Sequence, residues 1–180
     1  YVKEFIKQNK TNKFDLVEIH NRPSYIKKII NELPKIKIVL IFHNNPITLG
    51  GSKSIDERKF LLKSCDKLIF VSNWVKERFF DGFEKKHNNN CIVIYPSVEK
   101  LKKMPKKDNI ISFVGNLNQS KGFNIFGISI LKILKKYPKW KANVAGDEQR
   151  DRIEFKHKNL KNYGFISHKK VIEIYKKTSI

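Results

Sequence analysis

FVGNLNQSKGFNIF, residues 113–126, decides how the chain is read. An apolar run stops at Gly115, a short polar segment leads to Lys121 and Gly122, and apolar residues then return at helical spacing. β-branched and aromatic residues ending at a glycine predict a strand, and the spacing after Gly122 predicts a helix. The unit therefore puts one lysine at the mouth of a helix, shortly after a strand end. A helix N-terminus carries unpaired N–H groups and about half a positive charge, and it attracts phosphates. Gly115 lets backbone approach a ligand closely, Lys121 adds a mobile cation, and Gly122 opens the helix. Neither GxxxxGK[ST] nor GxGxxG is present. By itself the pattern fits two readings: an anion site, or an ordinary turn glycine beside one of many lysines.

Outward from this stretch, strands and helices alternate. Upstream, residues 15–20, 36–42, 67–71 and 91–95 predict strands. Residues 24–33, a segment opened by the capping-box pattern of Ser54 and Glu57, and residues 74–83 predict helices. The run at 36–42 is dense enough in β-branched residues for a strand buried on both faces. Ser72 and Asn73 read as a cap for the helix that follows them, and Glu57 and Arg58 read as surface charges. Downstream, 110–114 and 141–145 predict strands, and 123–136 and 168–177 predict helices, the second capped by Ser167. A turn is expected around Tyr163 and Gly164, and a further strand begins at Thr178. Residues 99–109 are charged, contain a proline and lack periodicity, as a linker does. The expectation is an α/β protein with two Rossmann-like parallel-sheet domains, residues 1–98 and 110–180, joined by 99–109. Parallel sheets of this kind collect ligands at the carboxyl ends of their strands. His20, His43, Ser72, Pro96, Gly115 and Gly146 all fall at or just past a predicted strand end.

The 180 residues are 40% hydrophobic, enough for a core, with a net charge of +21 and a pI near 9.9. Such charge invites a polyanion partner. Yet lysine far outnumbers arginine, isoleucine and asparagine abound, and Ala142 and Ala145 are the only alanines. That is the imprint of AT-rich coding, and the lysines are spread along the chain, so nucleic acid is not the expected partner. A non-catalytic, basic, polyanion-binding α/β protein stays open as an alternative. Cys65 and Cys91 form no spaced metal or redox pattern. No apolar stretch approaches the ~20 residues of a membrane span. The expected location is cytoplasmic. The segment WVKERFFDGFEKKH (residues 74–87) puts Phe79, Phe80 and Phe83 beside Lys76, Arg78, Lys85 and Lys86. It fits either peripheral contact with an anionic inner membrane or a helix packed on its own sheet.

The stretch ISFVGNLNQSKGFNIFGISILKILKKYPKWKANVAGDE, residues 111–148, resembles the start of the C-terminal domain of retaining GT-B glycosyltransferases of family 4. In order upstream, DLVEIHNRPSY, IVLIFHNNP, DERKFLLKSCDKLIFVSNWVKERF and CIVIYPSVE are similar to the same family, and HKKVIEIYKKTSI at 168–180 resembles the helix before its acidic donor motif. The HNRP and HNNP pieces look most like the branch that builds lipopolysaccharide cores. The resemblance implies a sugar moved from a nucleotide-sugar donor to a hydroxyl of a glycan or lipid-linked acceptor, with retention and without a metal or cofactor. It implies that Lys121 holds the donor diphosphate and that Gly115, Asn116, Gly122 and Gly146 line the donor site. Asn116 stands where the family has arginine, which removes a charge from the expected clamp. His43 matches a histidine placed beside the transferred sugar, and His20, Asn21 and Arg22 match acceptor-side residues. The family's glutamate pair is expected beyond Ile180 and its first strand and acceptor loop before Tyr1, which makes this chain an internal piece. Other GT-B enzymes, such as sugar-nucleotide epimerases, share the architecture and stay open as alternatives.

Overall fold

The computed structural model describes residues 1–84, 88–99, 105–149 and 153–180. The chain divides into two units, Tyr1–Glu99 and Lys100–Ile180. Residues 100–104 of the expected linker lie outside the described residues.

The first unit runs α1 (Val2–Asn12), β1 (Leu16–His20), α2 (Ile26–Glu32), β2 (Lys37–Phe42), α3 (Ile55–Ser64), β3 (Lys67–Phe70), α4 (Asn73–Phe79) and β4 (Cys91–Val93). Its sheet is parallel in the order β1-β2-β3-β4. Along β2, Ile38, Leu40 and Phe42 are fully buried while Val39 and Ile41 are half-buried. The strand is thus fully covered on one face and partly on the other, where burial on both was expected. Register places Phe42 beside Phe70, their rings 5.6 Å apart, and Phe79 of α4 lies tilted on both. These three phenylalanines, with Leu40, Leu61 and Leu68, form the centre of the core.

Sequence reading overlooked α1 and overextended α4, which stops at Phe79 because Gly82 turns the chain at φ 81°. The aromatic face of the α4 region is spent on the core: Phe79 and Phe80 are buried and Phe83 packs against the same cluster. Lys85 and Lys86 lie outside the described residues. The capping box on α3 forms as expected, Ser54 and Glu57 exchanging side-chain-to-backbone bonds of 3.1 and 2.9 Å. Ser72 caps α4 by accepting from Val75 N. Arg58 is a correction. It was expected on the surface and is only 4% exposed, because the α4 end supplies carbonyls that its guanidinium can satisfy.

Both cysteines are free and buried. Burial pushes the Cys65 thiol up to about 12, with Asp66 and Cys91 adding to the effect. Burial likewise pushes Cys91 up to about 11, although Lys76 and Lys67 pull it down. An unfolded thiol titrates near ~8.5. Between about pH 9 and pH 11 the unfolded chain has released thiol protons that the folded chain keeps, so stability falls as pH rises through that window. Below it both states are protonated and the thiols contribute no slope. Alkylation at about pH 8 is expected to be at least ~100-fold slower in the folded chain than in urea. The fall in urea midpoint between about pH 9 and pH 11 is expected to be smaller in Cys65→Ala than in the parent.

The second unit runs β5 (Ile110–Val114), α5 (Phe123–Lys136), β6 (Lys141–Ala145), β7 (Leu160–Asn162) and α6 (His168–Lys177). Its strands pair in parallel, in the order β5-β6-β7. β7 went unanticipated, since Leu160–Asn162 is too short and too polar to signal a strand. The two small residues of β6, Ala142 and Ala145, are buried, and Ala142 packs with Ile130 and Leu134 of α5. Ser167 stands at the N-cap of α6 but makes no side-chain cap bond. After α6 the chain returns to the free edge of β5: Ser112 N donates to Ile180 O at 2.9 Å, and Ile180 N donates to Ile110 O at 3.3 Å. That is a parallel bridge, so successive connections leave β5 in opposite directions. The carboxyl end of β5 is therefore a topological switch point, the position at which open parallel sheets bind their ligands. In the first unit the strands progress in one direction only.

Candidate functional site

At the switch point, Gly115 extends β5 by donating its N–H to Ala145 O at 3.0 Å. Gly115 and Gly146 have φ of 153° and 140°. A Cβ on Gly146 would lie 1.8 Å from Gly115 O. Two neighbouring strand ends are in direct backbone contact, and only glycine fits at 146. Past Gly115, fully buried Leu117 anchors the polar loop. Asn118 organises it. Its Oδ1 accepts from Lys121 N at 3.2 Å and from Ser120 Oγ at 2.9 Å, and its Nδ2 donates to Glu148 Oε2 at 2.6 Å. The loop after β5 is thereby tied to the loop after β6. Gly122, at φ 74°, turns the chain into α5, whose first turn has no side-chain cap. The opening amides of a 14-residue helix and the exposed Lys121 thus stand together at the strand end. Of the residues expected here, Gly115 and Gly146 are in backbone contact, and Lys121 and Gly122 lie where the loop enters α5. Asn116 contributes its carbonyl to the loop, accepting from Asn118 N at 2.9 Å.

On the first unit, His20 closes β1, and His43 follows β2 one residue past its end. Parallel pairing of β1 and β2 brings them side by side, their ring planes within 16° of parallel and their centroids 5.1 Å apart, so that the rings meet edge to edge. His20 Nδ1 lies 2.8 Å from His43 Nε2, and His20 Nε2 lies 2.6 Å from Glu18 Oε1. Asn21 adopts a left-handed conformation, φ 52°, which asparagine tolerates. In this pose its Oδ1 accepts from His43 N at 2.8 Å and Asn44 N at 3.2 Å. Asn21 is thus a latch that fixes the start of the loop after β2. Arg22 is exposed and donates to Asn21 O. It also borders a cavity of about 380 Å³ beside β1, together with Val17, Ile19, Tyr25, Tyr1 and Phe5.

Three polar residues at these edges were overlooked in the sequence. Glu18 had a faint signal, because it and His20 are two residues apart on one strand and share a face. Asn118 had another, since asparagine organises turns by accepting backbone N–H bonds. Glu148 had none, because only the fold brings it to Asn118.

No family model matches the chain. Two curated proteins of Bacillus subtilis are similar to it, each at 24% identity: YtcC, named as a glycosyltransferase, over 76% of this chain and 38% of the relative, and spore coat protein SA, over 72% and 39%. The chain spans about two fifths of the length of these relatives. Among solved structures, Anabaena HepE in complex with UDP-glucose superposes with a TM-score of 0.62 at 13% identity, covering 92% of this chain and 52% of that one. S. aureus MnaA with UDP gives 0.63 at 12%, covering 98% and 55%. The pneumococcal O-GlcNAc transferase GtfA with UDP and GlcNAc gives 0.57 at 13%, covering 92% and 37%. The α/β fold with parallel sheets is that of GT-B glycosyltransferase structures.

Proposed function

We propose that this chain is part of a retaining glycosyltransferase that moves a hexose from a nucleotide-sugar to a hydroxyl of a cell-surface or lipid-linked glycan. The observation that carries the proposal is the succession, at the one switch point among the described residues, of Gly115, Lys121 and a helix N-terminus with no side-chain cap. A nucleoside diphosphate matches that arrangement. It offers negative charge to the helix end, worth roughly 0.3–2 kcal/mol, and to the lysine, roughly 1.5–3 kcal/mol. The name of one relative and the UDP ligands of the solved structures support the same donor class. The sequence resemblance supports family 4, and one relative's name, a spore coat protein, favours a surface glycan as acceptor. The lipopolysaccharide-core assignment rests on the HNRP and HNNP stretches alone.

In the transfer, the bond between the anomeric carbon and the diphosphate oxygen breaks, and negative charge grows on the leaving group. Lys121 and the opening amides of α5 stabilise that charge more in the transition state than in the ground state, with no metal required. Gly146 permits the backbone contact with Gly115 that sets the ends of β5 and β6 side by side. Asn116 supplies hydrogen bonding without charge, so the clamp relies on Lys121 more than a two-cation clamp would. The sequence resemblance assigns His43 to the transferred sugar and His20, Asn21 and Arg22 to the acceptor. No helix among the described residues is long and apolar enough to cross a membrane. A lipid-linked acceptor would be met by peripheral contact at the inner face.

The test uses the longer protein of which this chain is part. UDP is expected to raise its melting temperature, and Lys121→Ala is expected to weaken UDP binding by roughly 10- to 100-fold. Lys132→Ala, farther along α5, is expected to leave binding unchanged. Equal loss in both variants would assign the effect to bulk charge and sink the proposal.

A further inference from the structure

Glu18, His20 and His43 form a directional chain whose polarity follows from the chemistry of its first member. An ionised carboxylate only accepts hydrogen bonds. Glu18 Oε1, 2.6 Å from His20 Nε2, therefore requires the proton on that nitrogen. A neutral His20 then presents Nδ1 as a bare lone pair. His43 Nε2, 2.8 Å from it, must supply the next proton. A neutral His43 is left with its own lone pair on Nδ1. Each step permits one tautomer, and Asn21 fixes the backbone at His43 by accepting its N–H at 2.8 Å.

From this geometry we infer that Glu18 and His20 are positioning residues. They commit His43 to the tautomer whose Nδ1 accepts a hydrogen bond from a hydroxyl, the group a sugar or polyol presents. His20 acts through His43, because both of its own ring nitrogens are already engaged. The role assigned to the hydroxyl rests on the transferase reading of the preceding subsection, whereas the tautomer does not. With a hydroxyl bound, its proton points at His43 Nδ1, and no covalent bond is formed or broken.

Two measurements separate these claims. Nitrogen-15 spectra of the imidazoles, recorded on the alkaline side of histidine titration, report which nitrogen carries hydrogen. In the parent protein both histidines are expected as Nε2–H with Nδ1 unprotonated. In Glu18→Ala the Nε2 resonance of His20 is expected to move, and in His20→Ala the Nε2 resonance of His43. Either Nδ1–H form as the main species, or a His43 spectrum indifferent to His20→Ala, overturns the inference. In the transfer assay of the longer protein, Glu18→Gln is expected to lower kcat roughly 10-fold, with UDP affinity unchanged. The glutamine amide can turn and donate to His20, which reverses the chain. A Glu18→Gln enzyme with parental kcat overturns the role. If UDP fails to bind at all, the transferase reading falls while the tautomer result still stands or falls on the spectra.

Discussion

Gly146→Ala is expected to unfold the second unit and leave the first one folded. The added Cβ would meet Gly115 O at 1.8 Å, and that oxygen belongs to a neighbouring strand end in the same sheet. It cannot swing aside as a side chain would. The φ of 140° adds a conformational penalty, because L side chains rarely adopt it. Overpacking and backbone strain together come to about 4 kcal/mol, a large share of what a unit of this size commands. The two units carry one tryptophan each, Trp74 and Trp140, so they can be followed separately. Trp140 packs against the α5–β6 cluster and reports the second unit. In a Trp74→Phe background, the urea midpoint read from Trp140 is expected to collapse in Gly146→Ala. A midpoint within error of the parent would mean that the two strand ends are not in contact.

Arg58→Ala is expected to cost the first unit about 3 kcal/mol. The guanidinium reaches from α3 to the end of α4, where Nη1 donates to Phe79 O at 2.6 Å and Asp81 O at 2.9 Å. Its Nε donates to Ser54 O at 3.2 Å, and the Phe83 ring lies 5.4 Å from its charge. The last carbonyls of a helix have no partner within it and carry partial negative charge. Arg58 satisfies them in a place that water does not reach. Burial lowers its pKa, with Asp81 opposing, yet arginine stays charged at any pH the fold survives. Arg58→Lys keeps the charge but loses the fork, and is expected to recover less than half of the loss. The urea midpoint read from Trp74 is the measurement, and an Arg58→Ala midpoint equal to that of the parent would place the side chain in solvent.

The order of strands and helices was legible because it rests on local chemistry. Residues 110–114, 123–136 and 141–145 match β5, α5 and β6 end for end. The apolar period and the flanking Gly115, Pro138 and Gly146 are all near-neighbour signals. The failures share a cause too. β7 holds its place through register with β6, which three polar-flanked residues cannot announce. Arg58 looks like any first-turn cation until the end of α4 is laid over it. The lysine content hid the candidate site in another way, since one lysine among so many carries little information until a strand end and a helix end bracket it.

Sequence alone determined the repeating strand-helix pattern and the glycine–lysine–glycine spacing at a strand exit, because periodicity and turn chemistry act over a few residues. Tertiary structure alone decided that β5 is the switch point, since that depends on which edge receives Ile180. It alone set Glu18, His20 and His43 in line, because register between β1 and β2 joins residues more than twenty positions apart. Pairing between distant strands is chosen by the burial of whole faces, and no short window of residues records that choice.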